Sequence, residues 1–266
     1  MPQLEDIIRF LENFAPPALA EDWDNTGLLL GDCGGRAGRV MTCLTLTPDV
    51  AVEAIRENAE LIVSHHPILF RAVKQLTSQT REGRMLLDLI RANIAVYSPH
   101  TAFDGAAAGI NAQLAARFEL QNIRPLRQLD DSDPGIGAGR MGETAEPVEF
   151  DAFLQHVLRV MRLPGCEVVE PRRTIRRVGI ACGSAADFLP DAIAAGCDVF
   201  ITGEARFHAA LEARSEDIGL ILLGHYASER FAVETLAERL STEFPELTAW
   251  ASREEQDPLN YISKGE

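Results

Sequence analysis

Hydrophobic positions in the first hundred residues alternate between helical and strand spacing. Apolar residues recur at helical intervals through residues 4–14, and Pro16-Pro17 ends that pattern. Short apolar runs predict strands at 40–46, 61–64 and 94–97, and the segments between them predict helices at 49–58 and 85–92. Strands that alternate with helices indicate a mostly parallel sheet covered by helices.

The second half of the chain repeats the first without a gap. The matched segments share one offset: Arg39-Val40 with Arg177-Val178, Ala54-Ile55 with Ala192-Ile193, and Glu60–Ser64 with Asp198–Thr202. Any two strand–helix–strand units look somewhat alike, but the constant offset favours two related halves. We therefore predict an α/β protein of two related, interlinked domains, residues 1–126 and 127–266. We expect mixed, mostly parallel sheets flanked by helices, with the functional site in the cleft between the domains.

Residues 125–149 differ from both halves because they collect prolines, glycines and the acidic run Asp130–Asp133. This composition predicts a loop or a domain connection. A helix at 149–162 and a strand at 166–171 are expected to follow.

Charge and cysteine content narrow the function classes. The formal net charge of −15 disfavours nucleic acid and anionic membranes as main partners. The five cysteines are an odd number without a Cys-x-x-Cys pair, which indicates free thiols in a reducing compartment. The N-terminal stretch lacks the apolar core of a secretory signal, and no apolar run reaches the roughly 20 residues of a membrane span. We expect a cytoplasmic protein.

Histidines follow three of the apolar runs. His65 and His66 end the run at 61–64 and precede Pro67. Ligands gather at strand ends in parallel α/β sheets, so two adjacent imidazoles there suit metal binding. A pair of hydrogen-bonded surface histidines is the alternative.

Two further histidines each stand four residues before a carboxylate. If a helix begins after Gly224, His225 and Glu229 share one face and can grip one ion, although an ordinary polar contact would need the same spacing. His100 and Asp104 repeat the spacing, with Asp104 as the cap of a helix at 106–117 as the alternative. Three such places together predict a polynuclear metal site.

These motifs together resemble the NIF-three-like family, whose members are often labelled GTP cyclohydrolase I type 2 homologs. The resemblance runs in order through nearly the whole chain. The motifs that carry it are Trp23-Asp24-Asn25-x-Gly27-Leu28, Ser64-His65-His66-Pro67, His100-Thr101-x-x-Asp104, Thr202-Gly203-Glu204-x-x-x-His208 and Gly224-His225-Tyr226-x-x-Glu229.

The resemblance implies two α/β domains with a dinuclear metal site between them, in ring-shaped hexamers. It implies that Glu229 bridges the two ions and that His100 and His208 contact the substrate or the ligands. The full implied ligand set is His65, His66, Asp104, His225 and Glu229. The chain departs from many relatives at Cys182-Gly183-Ser184-Ala185, where a glycine-rich turn is usual, so a backbone phosphate cradle is not expected there.

The chemistry expected of such a site is metal-dependent hydrolysis of a nucleotide-like or other small anionic substrate. Histidine and carboxylate ligands suit zinc, iron, manganese or nickel, and the sequence does not identify which of these metals is bound. His100 or His208 would shuttle protons. Arg71, Lys74 and Arg206 lie near the motifs and could hold the anion, with ordinary solvated surface as the alternative for each. The alternative is a non-catalytic scaffold or regulatory binding protein braced by its metals.

Overall fold

The structure, a computed structural model, describes residues 1–129 and 135–260, so the acidic run Asp130–Asp133 of the predicted connection lies outside the described residues. The helices are α1 Leu4–Phe14, α2 Pro48–Arg56, α3 Arg81–Arg91, α4 His100–Gly105, α5 Ile110–Arg117, α6 Phe150–Met161, α7 Leu189–Ala194, α8 Phe207–Ser215 and α9 His225–Glu243. The strands are β1 Gly27–Leu30, β2 Arg39–Thr45, β3 Leu61–His66, β4 Ala95–Ser98, β5 Gln121–Arg124, β6 Arg127–Gln128, β7 Gly137–Ala138, β8 Arg140–Val148, β9 Glu167–Val169, β10 Ile175–Ala181, β11 Val199–Thr202, β12 Gly219–Leu222 and β13 Thr248–Ala251.

The chain divides into two compact units that are not contiguous in sequence. Among the described residues, the first unit contains 1–103 and 230–256, and the second contains 104–129, 135–229 and 257–260. This division differs from the expected boundary between residues 126 and 127, because β13 returns from the C-terminal part of the chain to pair with β2.

The first unit is built on a five-stranded sheet in the order β1-β4-β3-β2-β13, with β1 antiparallel at one edge and the other pairings parallel. Apolar side chains of β2 and β3 pack with those of α2 and α3 in a buried core. Each large aliphatic side chain buried there stabilises the fold by roughly 1.5–3 kcal/mol. The hydroxyls of Thr47 and Thr80 accept backbone N–H groups at the starts of α2 and α3 and so fix where those helices begin.

The second unit is built on a six-stranded sheet in the order β5-β8-β10-β11-β12-β9. The central pairings β10–β11 and β11–β12 are parallel, while β8 and β9 are antiparallel to their neighbours. The predicted class, mixed α/β with sheets flanked by helices, is confirmed.

The predicted internal repeat is visible in the strand registers. Val40 pairs with Leu61 and Val178 pairs with Val199, at the same relative positions of the two halves. A carboxylate tightens each pair of strands in the same way. Glu60 accepts the N–H groups of residues 38 and 39, and Asp198 accepts those of residues 176 and 177.

The prediction of a loop through residues 125–149 is wrong for its second half. Residues 140–148 form β8, which pairs with β5 on one side and β10 on the other. Met141 is its apolar anchor in the core, and glycine, proline and charged residues fill most of the rest. Its hydrogen bonds come from strands distant in sequence, so no local alternation of apolar residues marks it.

Within residues 1–129 and 135–260, no helix combines the length and apolar character needed to cross a membrane.

Candidate metal centre

The first ligand set begins at the end of β3. This strand ends at His66, before Pro67, and the His65 side chain is buried. Hydroxyl groups fix the backbone at this point, since Ser98 Oγ donates to the His65 carbonyl at 2.7 Å and Ser64 Oγ donates to the His66 carbonyl at 2.8 Å. The strand end therefore presents two imidazoles on a rigid backbone.

His100 joins these two histidines. It begins α4 directly after β4 and has φ +29°, an unusual conformation for a residue other than glycine. Its ring centroid lies 5.3 Å from that of His65 and 5.8 Å from that of His66. One ring nitrogen from each of the three residues lies within 4.8 Å of the others, a spacing that can hold a metal ion.

A buried carboxylate orients His100. Asp24 Oδ1 lies 2.7 Å from His100 Nδ1, and Asp24 Oδ2 accepts hydrogen bonds from the Thr101 N–H and hydroxyl. Burial raises the pKa of Asp24, but the hydrogen bonds from His100, Thr101 and the Asn25 N–H outweigh it and lower that pKa to about 2. Asp24 is therefore an anion that accepts a hydrogen bond from Nδ1–H of His100, and Nε2 of that ring is left for chemistry.

A hydroxyl contacts His66 in a similar way. Thr45 Oγ1 lies 2.7 Å from His66 Nδ1, because β2 and β3 pair residue 45 with residue 66. Two exposed aromatic rings lie beside the set, with Trp23 6.1 Å and Phe70 6.4 Å from the His100 ring, both edge-on.

The second ligand set lies in the second unit, at the start of α9. The helix begins at His225, directly after Gly224, and His225 Nε2 lies 3.1 Å from Glu229 Oε2 one turn later. The predicted shared helix face is confirmed. His225 Nδ1 lies 3.0 Å from Glu204 Oε1. The hydrogen bond to Glu229, and then that to Glu204, raise the pKa of His225 to about 9 against the effect of burial.

Asp104 is held in the second unit by a buried network. Cys182 Sγ donates to Asp104 Oδ1 at 3.2 Å, and the Asn111 side chain bonds both the Asp104 carbonyl and the Cys182 N–H. Burial, followed by the negative charges of Asp104 and Glu229, raises the pKa of the Cys182 thiol well above its usual range. The helix-cap alternative for Asp104 is wrong, because α5 begins at Ile110 and Gly109 takes the cap position.

Glycine at position 183 allows Glu229 to reach its place. Gly183 has φ +66°, and a β-carbon built on it would collide with Glu229 Oε1. Its N–H donates to Ser228 Oγ at 3.0 Å. The turn at residues 182–185, where many relatives have a glycine-rich turn, therefore makes room for the carboxylate of Glu229.

The remaining predicted residue, His208, lies elsewhere on its unit. It is exposed in the first turn of α8, with its ring against Phe207, and it belongs to no group of three potential ligands among the described residues. Sequence reasoning assigned no role to Thr45, Glu204 or Asn111. Of these three, only Glu204 could have been found from the sequence, because the offset of the internal repeat places it at the position that corresponds to His66.

The fold and the site define a mixed α/β protein with clustered histidine side chains whose spacing can hold a metal ion. A family model described as "Duf34/NIF3 (NGG1p interacting factor 3)" matches residues 2–258. The chain belongs to this DUF34/NIF3 family.

Similar proteins support this assignment. The chain is 30% identical to a protein of Clostridium acetobutylicum named "GTP cyclohydrolase 1 type 2 homolog", over 90% of this chain and 89% of the relative. It is 33% identical to a Helicobacter pylori protein named "GTP cyclohydrolase 1 type 2", over 90% and 92%. The crystal structure of Staphylococcus aureus hypothetical protein SA1388 superimposes with a TM-score of 0.88 at 27% identity, over 98% of this chain and 99% of that one.

Proposed function

We propose that this chain is a metal-dependent hydrolase that acts on a small anionic substrate of nucleotide type. The observation that carries the proposal is the pair of His65 and His66, whose ring centroids lie 5.1 Å apart at the end of β3, with the ring of His100, oriented by Asp24, beside them. We propose His65, His66, Asp104, His225 and Glu229 as ligands of two divalent ions.

The donor chemistry of the described residues fits such ions. Neutral imidazole nitrogens and carboxylate oxygens bind zinc, iron, manganese and nickel. The thiol of Cys182 donates a hydrogen bond to Asp104, so it is a neutral neighbour and not part of the proposed donor set. Divalent ions at this site would stabilise negative charge on a substrate and make water a stronger nucleophile at neutral pH.

The proposed proton carrier is His100. Asp24 accepts its Nδ1–H, which fixes the tautomer and leaves Nε2 to take a proton from water. The anionic Asp24 then stabilises the imidazolium that results. We assign this role to His100 and not to His208, because His100 has both the carboxylate partner and the ligand imidazoles beside it.

The proposed substrate class rests on the surroundings of His100 and on the names of relatives. Trp23 and Phe70 expose more than half of their surface beside His100 and suit a planar ring. Arg71 and Lys74 follow on the same exposed segment and suit a phosphate. The Clostridium acetobutylicum and Helicobacter pylori relatives described above carry GTP cyclohydrolase names.

The test combines metal binding with turnover in metal-replete protein. Four proteins are compared: the wild type, His66→Ala, His100→Ala and the control His156→Gln on α6. For each we measure the affinity for zinc and for manganese, and the hydrolysis of a panel of nucleotides and phosphoesters. We expect His66→Ala to lose both metal and turnover, and His100→Ala to keep metal but lose turnover at least 100-fold. The control should behave as wild type. If chelation unfolds the protein while no variant changes any turnover, the metal-braced scaffold is the better account.

The proposal extends to a cytoplasmic hexameric ring with small-molecule substrates and without nucleic-acid partners. Sedimentation velocity tests the assembly, and a single-chain mass would contradict it.

A further inference from the structure

We propose that Thr45 and Glu255 are positioning residues that fix how His66 presents its ring to a metal. The inference rests on the proposed function, since it assigns a role to two residues around one proposed ligand. Neither residue belongs to the motifs that carry the family resemblance.

The first step is the contact at His66 itself. Thr45 Oγ1 lies 2.7 Å from His66 Nδ1. With the hydroxyl as acceptor, Nδ1 carries the ring proton, so Nε2 is the nitrogen that binds a metal. Groups that accept the second N–H of a ligand histidine fix its tautomer and its ring orientation. The same arrangement recurs at His100 with Asp24 and at His225 with Glu204.

The second step is what holds Thr45 in place. Strand β13 pairs with β2 only as far as Thr42, so the last residues of β2 lack that neighbour. Glu255 replaces β13 at this point. The Glu255 carboxylate accepts hydrogen bonds from the Leu44 N–H at 2.9 Å and from the Thr45 N–H at 2.6 Å. A carboxylate thereby replaces the missing strand where the backbone turns toward the site.

The third step is the fixing of Glu255. Its side chain is 4% exposed and lies 3.0 Å from Arg230 Nε, whose own side chain is 12% exposed. Arg230 also donates to the Ser252 carbonyl at 2.7 Å. Ser252 in turn donates to the buried carboxylate of Glu53 at 2.5 Å. The C-terminal segment 252–255 is therefore rigidly tied to the sheet, and Glu255 transmits that rigidity to Thr45.

The experiment uses the full chain in two states. In chelated protein, long-range proton–nitrogen NMR of labelled histidine reports the tautomer of His66, assigned with His66→Ala. In the same preparations, competition with a chromophoric chelator gives the zinc affinity. The variants are Thr45→Val, which removes the hydroxyl at nearly constant shape, Thr45→Ser, Glu255→Gln and the neighbouring control Glu254→Gln. Glu254 is exposed and pairs with Arg56 at the surface.

We expect the Nδ1–H tautomer of His66 in the wild type and its loss in Thr45→Val. Zinc affinity should fall by about 10- to 100-fold in Thr45→Val, recover in Thr45→Ser, fall in Glu255→Gln and stay unchanged in Glu254→Gln. The thermal midpoint of metal-free Thr45→Val should remain within about 2 °C of wild type, because residue 45 is exposed.

Two outcomes would overturn the inference alone. One is a wild-type zinc affinity in Thr45→Val while His66→Ala loses zinc, and the other is a His66 tautomer that Thr45→Val leaves unchanged. A wild type that binds no zinc, or a His66→Ala variant that binds as tightly as wild type, would instead overturn the proposed function and the metal role of Thr45 with it. The tautomer is measured without metal, so the Thr45–His66 contact is decided in every case.

Discussion

The change Asp24→Asn tests the carboxylate behind His100. The Asp24 side chain is fully buried, and its hydrogen bonds with His100 and Thr101 outweigh burial to lower its pKa from 3.8 to about 2. A carboxylate whose folded-state pKa is lowered adds stability above its unfolded-state pKa. That stability is lost as the pH falls from about 4 through 2.

The magnitude follows from the two pKa values. The fall from 3.8 to about 2 corresponds to roughly 2.4 kcal/mol at 1.36 kcal/mol per pKa unit. The His100 partner is 17% exposed, and solvent screening of the pair reduces this to about 1–2 kcal/mol. We therefore expect metal-free Asp24→Asn to be less stable than wild type by about 1–2 kcal/mol at pH 6, and by well under 1 kcal/mol at pH 2.5.

Urea unfolding of both proteins in chelator, at pH 6, 4, 3 and 2.5, measures this difference. Asp6→Asn is the matched control, because Asp6 is exposed on α1 and pairs with Arg9 in solvent. Its difference from wild type should be within about 0.5 kcal/mol at every pH. A gap between Asp24→Asn and wild type that stays constant from pH 6 to pH 2.5 would refute the electrostatic reasoning.

Two further substitutions and one binding measurement test the second ligand set and the metal. Gly183→Ala should weaken zinc binding at least 10-fold by chelator competition, because its β-carbon would displace Glu229; unaltered affinity would contradict the close packing. Asn111→Leu should lower the free energy of unfolding by about 1–3 kcal/mol in urea titrations, because it leaves the Cys182 N–H and the Asp104 carbonyl without the hydrogen bonds that Asn111 makes to them. An unchanged free energy of unfolding would count against the network. Zinc binding at pH 7 should release a proton, because the pKa of His225 is raised to about 9 and a ligand must shed its proton. Calorimetry in buffers of different ionisation enthalpy detects that release, and identical heats would argue against it.

Local patterns were sufficient where a site residue and its partner lie on one element. The spacing of His225 and Glu229 predicted a shared helix face, and the structure has it because α9 begins at His225. The end of β3 at Pro67 likewise followed from the local sequence. The repeat was detectable because both halves keep one strand register without insertion.

Local patterns failed where sheet pairing decides the contact. Thr45 meets His66 only through the register of β2 and β3, and a single hydroxyl in a strand gives no signal of its own. Glu255 replaces a sheet neighbour from more than 200 residues away. Strand β8 was not predicted for the same reason. Strands β5 and β10 supply its hydrogen bonds, and its own sequence lacks an alternation of apolar and polar residues.

Metal content of protein purified without chelator, measured by elemental mass spectrometry, tests the central claim most directly. The account predicts about two divalent ions per chain in the wild type and fewer in both His66→Ala and Glu229→Gln, one variant in each ligand set. A wild type without bound metal that also takes up none on addition of zinc, manganese, iron or nickel would contradict it.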